Sequence, residues 1–131
     1  MKKVIITMLI IAAVVSVIIV YSTSNPLVEI RSSDIEKIEL HSIEGVKIKE
    51  FTAEEFEVIV KAYNTARIDD GMHIEMLAGS MMTIVFKDAS SLSVTSYGSK
   101  THIVTGGKIM GKDANYHLEC PVIAEILLAG Y

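Results

Sequence analysis

The sequence predicts an α+β fold: one antiparallel sheet with helices on one face, in the order β-β-α-β-β-β-(β)-α, preceded by a transmembrane helix. Three observations predict it. Residues 4–21 form an apolar run without a charge. Residues 52–55 form a helix-opening capping box directly after a period-two hairpin. From residue 80 onward, short alternating runs are separated by turn-forming residues.

The first element is VIITMLIIAAVVSVIIVY, which follows Met1-Lys2-Lys3. As a helix, 18 residues reach about 27 Å, close to the hydrocarbon thickness of a bilayer. The run is longer than the apolar core of a cleaved signal peptide, about 7–15 residues, and Ser22-Thr23-Ser24 matches a cleavage site poorly. The reading is an uncleaved signal anchor over residues 1–21, a linker over 22–34 and a folded domain over 35–131. Lys2 and Lys3 keep the N-terminus cytoplasmic. That makes the chain a single-pass protein of the cell membrane with an extracytoplasmic domain. Ala12 and Ser16 have the small-x-x-x-small spacing of paired membrane helices.

Without Lys2 and Lys3 the chain carries 10 basic and 16 acidic residues, a net charge of −6. An acidic exported domain with no basic cluster excludes nucleic acid as a partner. It also argues against an electrostatic grip on anionic lipid. One cysteine makes no internal disulfide, so the fold rests on its core alone, which about 100 residues can supply.

In IEKIELH, residues 35–41, Ile38 and Leu40 share one face while Lys37, Glu39 and His41 take the other. Gly45 supplies a positive φ for the turn, and residues 46–49 return as the second hairpin strand. Thr52 then caps a helix expected over 53–67. Glu55 completes the capping box, and Phe51 and Phe56 form a hydrophobic staple. Phe56, Ile59, Val60 and Tyr63 recur at helical spacing, while Glu57 and Lys61 pair on the outer face.

Residues 68–79 hold an Asp69-Asp70-Gly71 turn and then a loop or short edge strand. Strands are expected at 80–87, 92–97 and 101–105, with a weaker one at 108–111 beyond a Gly106-Gly107 turn. YHLE, residues 116–119, is the last strand. Pro121 opens a closing helix that Gly130 stops.

This sequence of pieces, from "IEKIELHSIEGVKIKEF" to "YHLECPVIAEIL", resembles small exported proteins of Gram-positive bacteria that join a Lys-Lys signal anchor to such an ectodomain. The resemblance spans most of residues 35–129. It implies a membrane-anchored extracytoplasmic domain family of unknown function and brings no catalytic residue with it.

TGGK at 105–108 is not a phosphate-binding loop, because that pattern needs Gly where His102 stands and Ser or Thr where Ile109 stands. Met72, His73 and Met76 are soft ligands suited to Cu(I), with Met81 and Met82 following. Core packing is the competing use of those methionines. Asp69, Asp70 and Glu75 lack the spacing of a calcium loop and read as a solvated turn. Glu54, Glu55 and Glu57 suit a first helical turn better than acid–base catalysis.

His41 and His117 are expected on the solvent side of the sheet, near each other. Tyr116, Leu118 and Cys120 point the opposite way from His117, because Pro121 keeps Cys120 extended. Cys120 is therefore expected in the core, despite a position at a helix N-terminus that can activate a thiol.

The functional expectation is a non-catalytic interaction module, without a cofactor, docking a protein or peptide on an open sheet face or edge strand. Val85, Val104 and Met110 are candidates for an exposed apolar patch there. The alternative is a copper-handling domain built on Met72, His73 and Met76.

Overall fold

The computed structural model describes residues 3, 5–13, 27–71 and 79–129. Residues 5–13 are helical (α1) and exposed. Among the described residues no helix is long and apolar enough to cross a membrane. Residues 14–21 of the expected anchor lie outside the described residues.

Among the described residues the domain is α+β, with one antiparallel sheet of eight strands. The strands are β1 (Ile35–His41), β2 (Lys47–Glu50), β3 (Arg67–Ile68), β4 (Met81–Phe86), β5 (Ser91–Thr95), β6 (His102–Ile109), β7 (Lys112–Asp113) and β8 (Tyr116–Glu119). Two helices join them, α2 (Ala53–Asn64) and α3 (Pro121–Leu128). Strand order is β2-β1-β4-β5-β6-β8-β3, with β7 paired to β6. α2 thus carries the chain from one edge of the sheet to the other.

α2 starts as its sequence dictates. Thr52 accepts from the Glu55 amide, and the Glu55 carboxylate accepts from the Thr52 amide at 3.1 Å. Ile59, Val60 and Tyr63 are buried. The helix stops at Asn64, short of the expected 67, because β3 begins at Arg67 to pair with β8.

Register sorts the two faces. Leu40, Met82, Val94 and Thr105 form one row across β1, β4, β5 and β6, and Ile38, Ile84 and Leu92 the next. All are buried, in one core with α2 and α3. The opposite face carries Glu39, Thr83 and Ser93 in one row, and His41, Met81, Thr95, Val104 and His117 in another. His41 and His117 do share a face and a row. They are nevertheless separated by β4, β5 and β6, four strand spacings of about 4.8 Å, or about 19 Å, so they do not approach each other.

Two expectations fail here for clear reasons. Gly106 and Gly107 are not a turn but lie inside β6. Gly107 has φ 120, and a Cβ there would press on the Ser91 carbonyl oxygen, so the glycine permits close pairing with β5. The second failure concerns the expected linker. Its residues from Leu27 onward are packed into the domain: Leu27 and Ile30 belong to the core. Asn64 grips the Ile30 backbone twice, accepting from its N–H and donating to its carbonyl, both at 2.8 Å. The Tyr116 hydroxyl accepts from the Val28 amide at 3.0 Å.

The sheet therefore has two distinct ends. At the root end the chain comes in at Leu27, beside Ile109 and Met110. At the tip end are the β1–β2 turn, the start of β4 and the end of β8. The seven residues of β1 separate the two by about 23 Å.

Candidate functional site

Two places merit a site's description. The first is a polar cluster on the open face, at the tip end of the β3 edge. Register sets Arg67 beside Glu119 and Glu119 beside His102, across β3, β8 and β6. Asp69 follows β3, its amide donating to the His117 carbonyl at 2.8 Å. Arg67 pairs with Glu119 and lies 3.9 Å from Asp69. His102 Nε2 lies 3.0 Å from Asp69 Oδ2, and its Nδ1 lies 2.6 Å from the Thr101 hydroxyl. Which ring nitrogen donates and which accepts depends on the imidazole's tautomer.

Asp69, His102 and Glu119 bring ligand atoms within 4.8 Å of one another. A guanidinium competes with a metal here. Arg67 offsets part of the carboxylates' charge, and Glu119 first, then Asp69, hold its guanidinium even more firmly protonated. A cation would have to displace the guanidinium from Glu119 and break the His102–Asp69 contact. The cluster's chemistry is that of a clasp, tying the two-residue strand β3 to β8 and β6.

The second place is the tip. The β1–β2 hairpin exposes Ile43, Val46 and Ile48 at 53%, 61% and 50% of their surfaces. Beside them a cavity of about 330 Å³ is lined by His41, Ser42, Ile43, Gly45, Gly79, Met81 and Thr95. Gly45 adopts φ 82, which lets the turn close and carry Ile43 and Val46 outward. Lining His41 keeps its Nδ1 buried and without a hydrogen-bond partner. This arrangement offers apolar contact area, since the other ring nitrogen of His41 lies 3.3 Å from Glu39.

The residues singled out from sequence fall variously. Met72, His73, Met76 and Glu75 lie outside the described residues. Asp69 is engaged with His102, and Asp70 is exposed in a turn. Met82 is fully buried core, while Met81 is 37% exposed beside the cavity. Val85 and Val104 are half-buried on the open face, two strands apart and on different rows, among Thr83, Ser91, Ser93 and Thr95. Met110 is not on that face at all but in the β6–β7 turn. The three do not form a common patch.

Cys120 is buried, and its thiol donates to the Ala62 carbonyl at 3.4 Å. Burial raises its pKa, with a smaller opposing effect from the Ile123 backbone. It is a core side chain. Arg67, His102 and Glu119 were missed as a group because cross-strand register, not sequence spacing, brings them together.

No protein-family model, no curated protein and no solved structure matches this chain.

Proposed function

We propose that the chain is a membrane-anchored extracytoplasmic interaction module, non-catalytic, that docks a protein partner on the tip of its β1–β2 hairpin. The anchor is the apolar run over residues 4–21. The observation that carries the docking reading is the pair of exposed Ile43 and Met81 lining the tip cavity, with Val46 and Ile48 exposed on the same hairpin. Apolar side chains gathered at one end, not scattered singly, are the usual mark of a docking surface.

The other surfaces suit docking less well. β2 is a free edge, but it has four residues, two lysines and a register shift at Leu40/His41. Short length, lysines and a bulge all discourage strand addition. β3, at the opposite edge, has two residues and is clasped by its ion pairs. The open face is rich in Ser and Thr. Nothing in the described fold adds to the copper reading of Met72, His73 and Met76.

The test is cross-linking and pull-down of the full chain from its native membrane. One stoichiometric protein should be recovered. The Ile43→Ser/Val46→Ser/Ile48→Ser variant should lose it, while Val58→Ser, which removes an exposed apolar side chain on α2 away from the tip, should retain it. Undiminished recovery by the triple variant would exclude the tip.

A further inference from the structure

The root end differs from the tip in what the chain itself puts beside it. The apolar run ends at Tyr21, and Leu27 is already core. Six Cα steps separate them, at most about 21 Å fully extended. If the run spans a bilayer, the polar layer of about 6 Å takes up part of that reach. The root end is then held within about 15 Å of the lipid headgroups.

The surface so placed has a definite chemistry. A groove of about 470 Å³ opens between residues 27–34 and the β6–β7 turn. Leu27, Ile109 and Met110 make its apolar part. Arg31, paired with Asp34 at 3.3 Å, and Glu29 line it from the 27–34 segment, with Lys112 from β7. The lining is charge-balanced, although the chain beyond the anchor is strongly acidic. Met110 is 40% exposed at the turn, with φ 49, and Gly111 follows with φ 81. Its amide donates to the Ser90 hydroxyl at 3.0 Å. The backbone thus holds a large apolar side chain outward in a conformation uncommon for a residue other than glycine.

We infer that the root end seats on a zwitterionic lipid surface, with Met110 in the interfacial layer and the paired charges of the groove facing the headgroup. The inference rests on the anchor reading. Lys112 and Arg31, whose side chain stays 79% exposed beside Asp34, suit the lipid phosphate, and exposed Glu29 suits its ammonium. Balanced charge avoids the repulsion that the acidic domain would meet at an anionic surface. One methionine would bind a free protein weakly. A short tether raises the effective concentration to the millimolar range, so a weak contact suffices.

The test uses the full chain in phosphatidylcholine–phosphatidylethanolamine vesicles that contain a doxyl-lipid quencher. Met110→Cys and Ile43→Cys variants are each labelled with an environment-sensitive fluorophore. Cys120 is 3% exposed, so brief labelling of the parent chain sets the background. The probe at 110 should be blue-shifted and quenched several-fold more than the probe at 43. Equal quenching at both positions, or stronger quenching at 43, would overturn the seat. Flotation of the same vesicles separates the two levels of the account. A chain that fails to float refutes the anchor and the seat with it, whereas one that floats with an unquenched probe at 110 refutes the seat alone.

Discussion

The two ends of β1 use the same residue type in opposite ways. At the root, Ile30 is 1% exposed and its backbone is gripped by Asn64. At the tip, Ile43 and Ile48 are half or more exposed. An isoleucine left in water contributes nothing to the fold, and three apolar residues kept there together point to contact with something else. The contrast teaches that apolar residues of the same type are packed under the sheet at the root and left half exposed on the hairpin at the tip. On the proposed reading, the tip is the end available to a partner.

Substitutions can break this comparison. Ile30→Ala should be the most damaging, costing about 2–5 kcal/mol as a cavity opens in the core. Ile48→Ala, the same change at the tip, should stay within about 0.5 kcal/mol. Midpoints of urea unfolding measure both, and similar losses at the two ends would refute the division. Asn64→Ala comes next. It leaves the N–H and the carbonyl of Ile30 without their partner, at about 1–3 kcal/mol, and it should also speed proteolysis at residues 27–34.

The smallest effect concerns pH. Glu39 is held below the usual carboxylate value by Lys37, Glu55 by Lys49 and then Thr52, and Asp88 by Ser90. Folded values below the unfolded ones mean that this stabilisation is fully present above the unfolded values. It disappears as pH falls through the folded ones. The urea midpoint should therefore be flat above about pH 5 and decline below about pH 4. Asp88 is exposed and Glu55 partly so, so the decline should be shallow. Asp88→Asn, at the root end, should reduce it further.

Much of the fold was legible. α2 announced itself through Thr52, Glu55 and Phe51, because capping and stapling are local. Pro121 marked the first turn of α3 for the same reason. Cys120 was placed in the core from strand alternation alone. The failures were non-local. Leu27 and Ile30 looked like linker because Ser and Asn-Pro surround them, and only the partners Asn64 and Tyr116 reveal that they are core. Gly106-Gly107 looked like a turn, since nothing in the dipeptide shows that β5 pairs close against it. The clasp of Arg67, Asp69, His102 and Glu119 depends on β3 lying beside β8, and a two-residue strand has no periodicity to read. The tip was half legible: Ile43, Val46 and Ile48 stood in the predicted hairpin, but their exposure follows from β2 being an edge.

The most direct test of the division between root and tip is site-specific photo-cross-linking in the native membrane, with the photoreactive residue at position 46 in one chain and at position 110 in another. The account predicts one discrete protein adduct from position 46 and no protein adduct from position 110. A protein adduct from position 110 together with none from position 46 would contradict it.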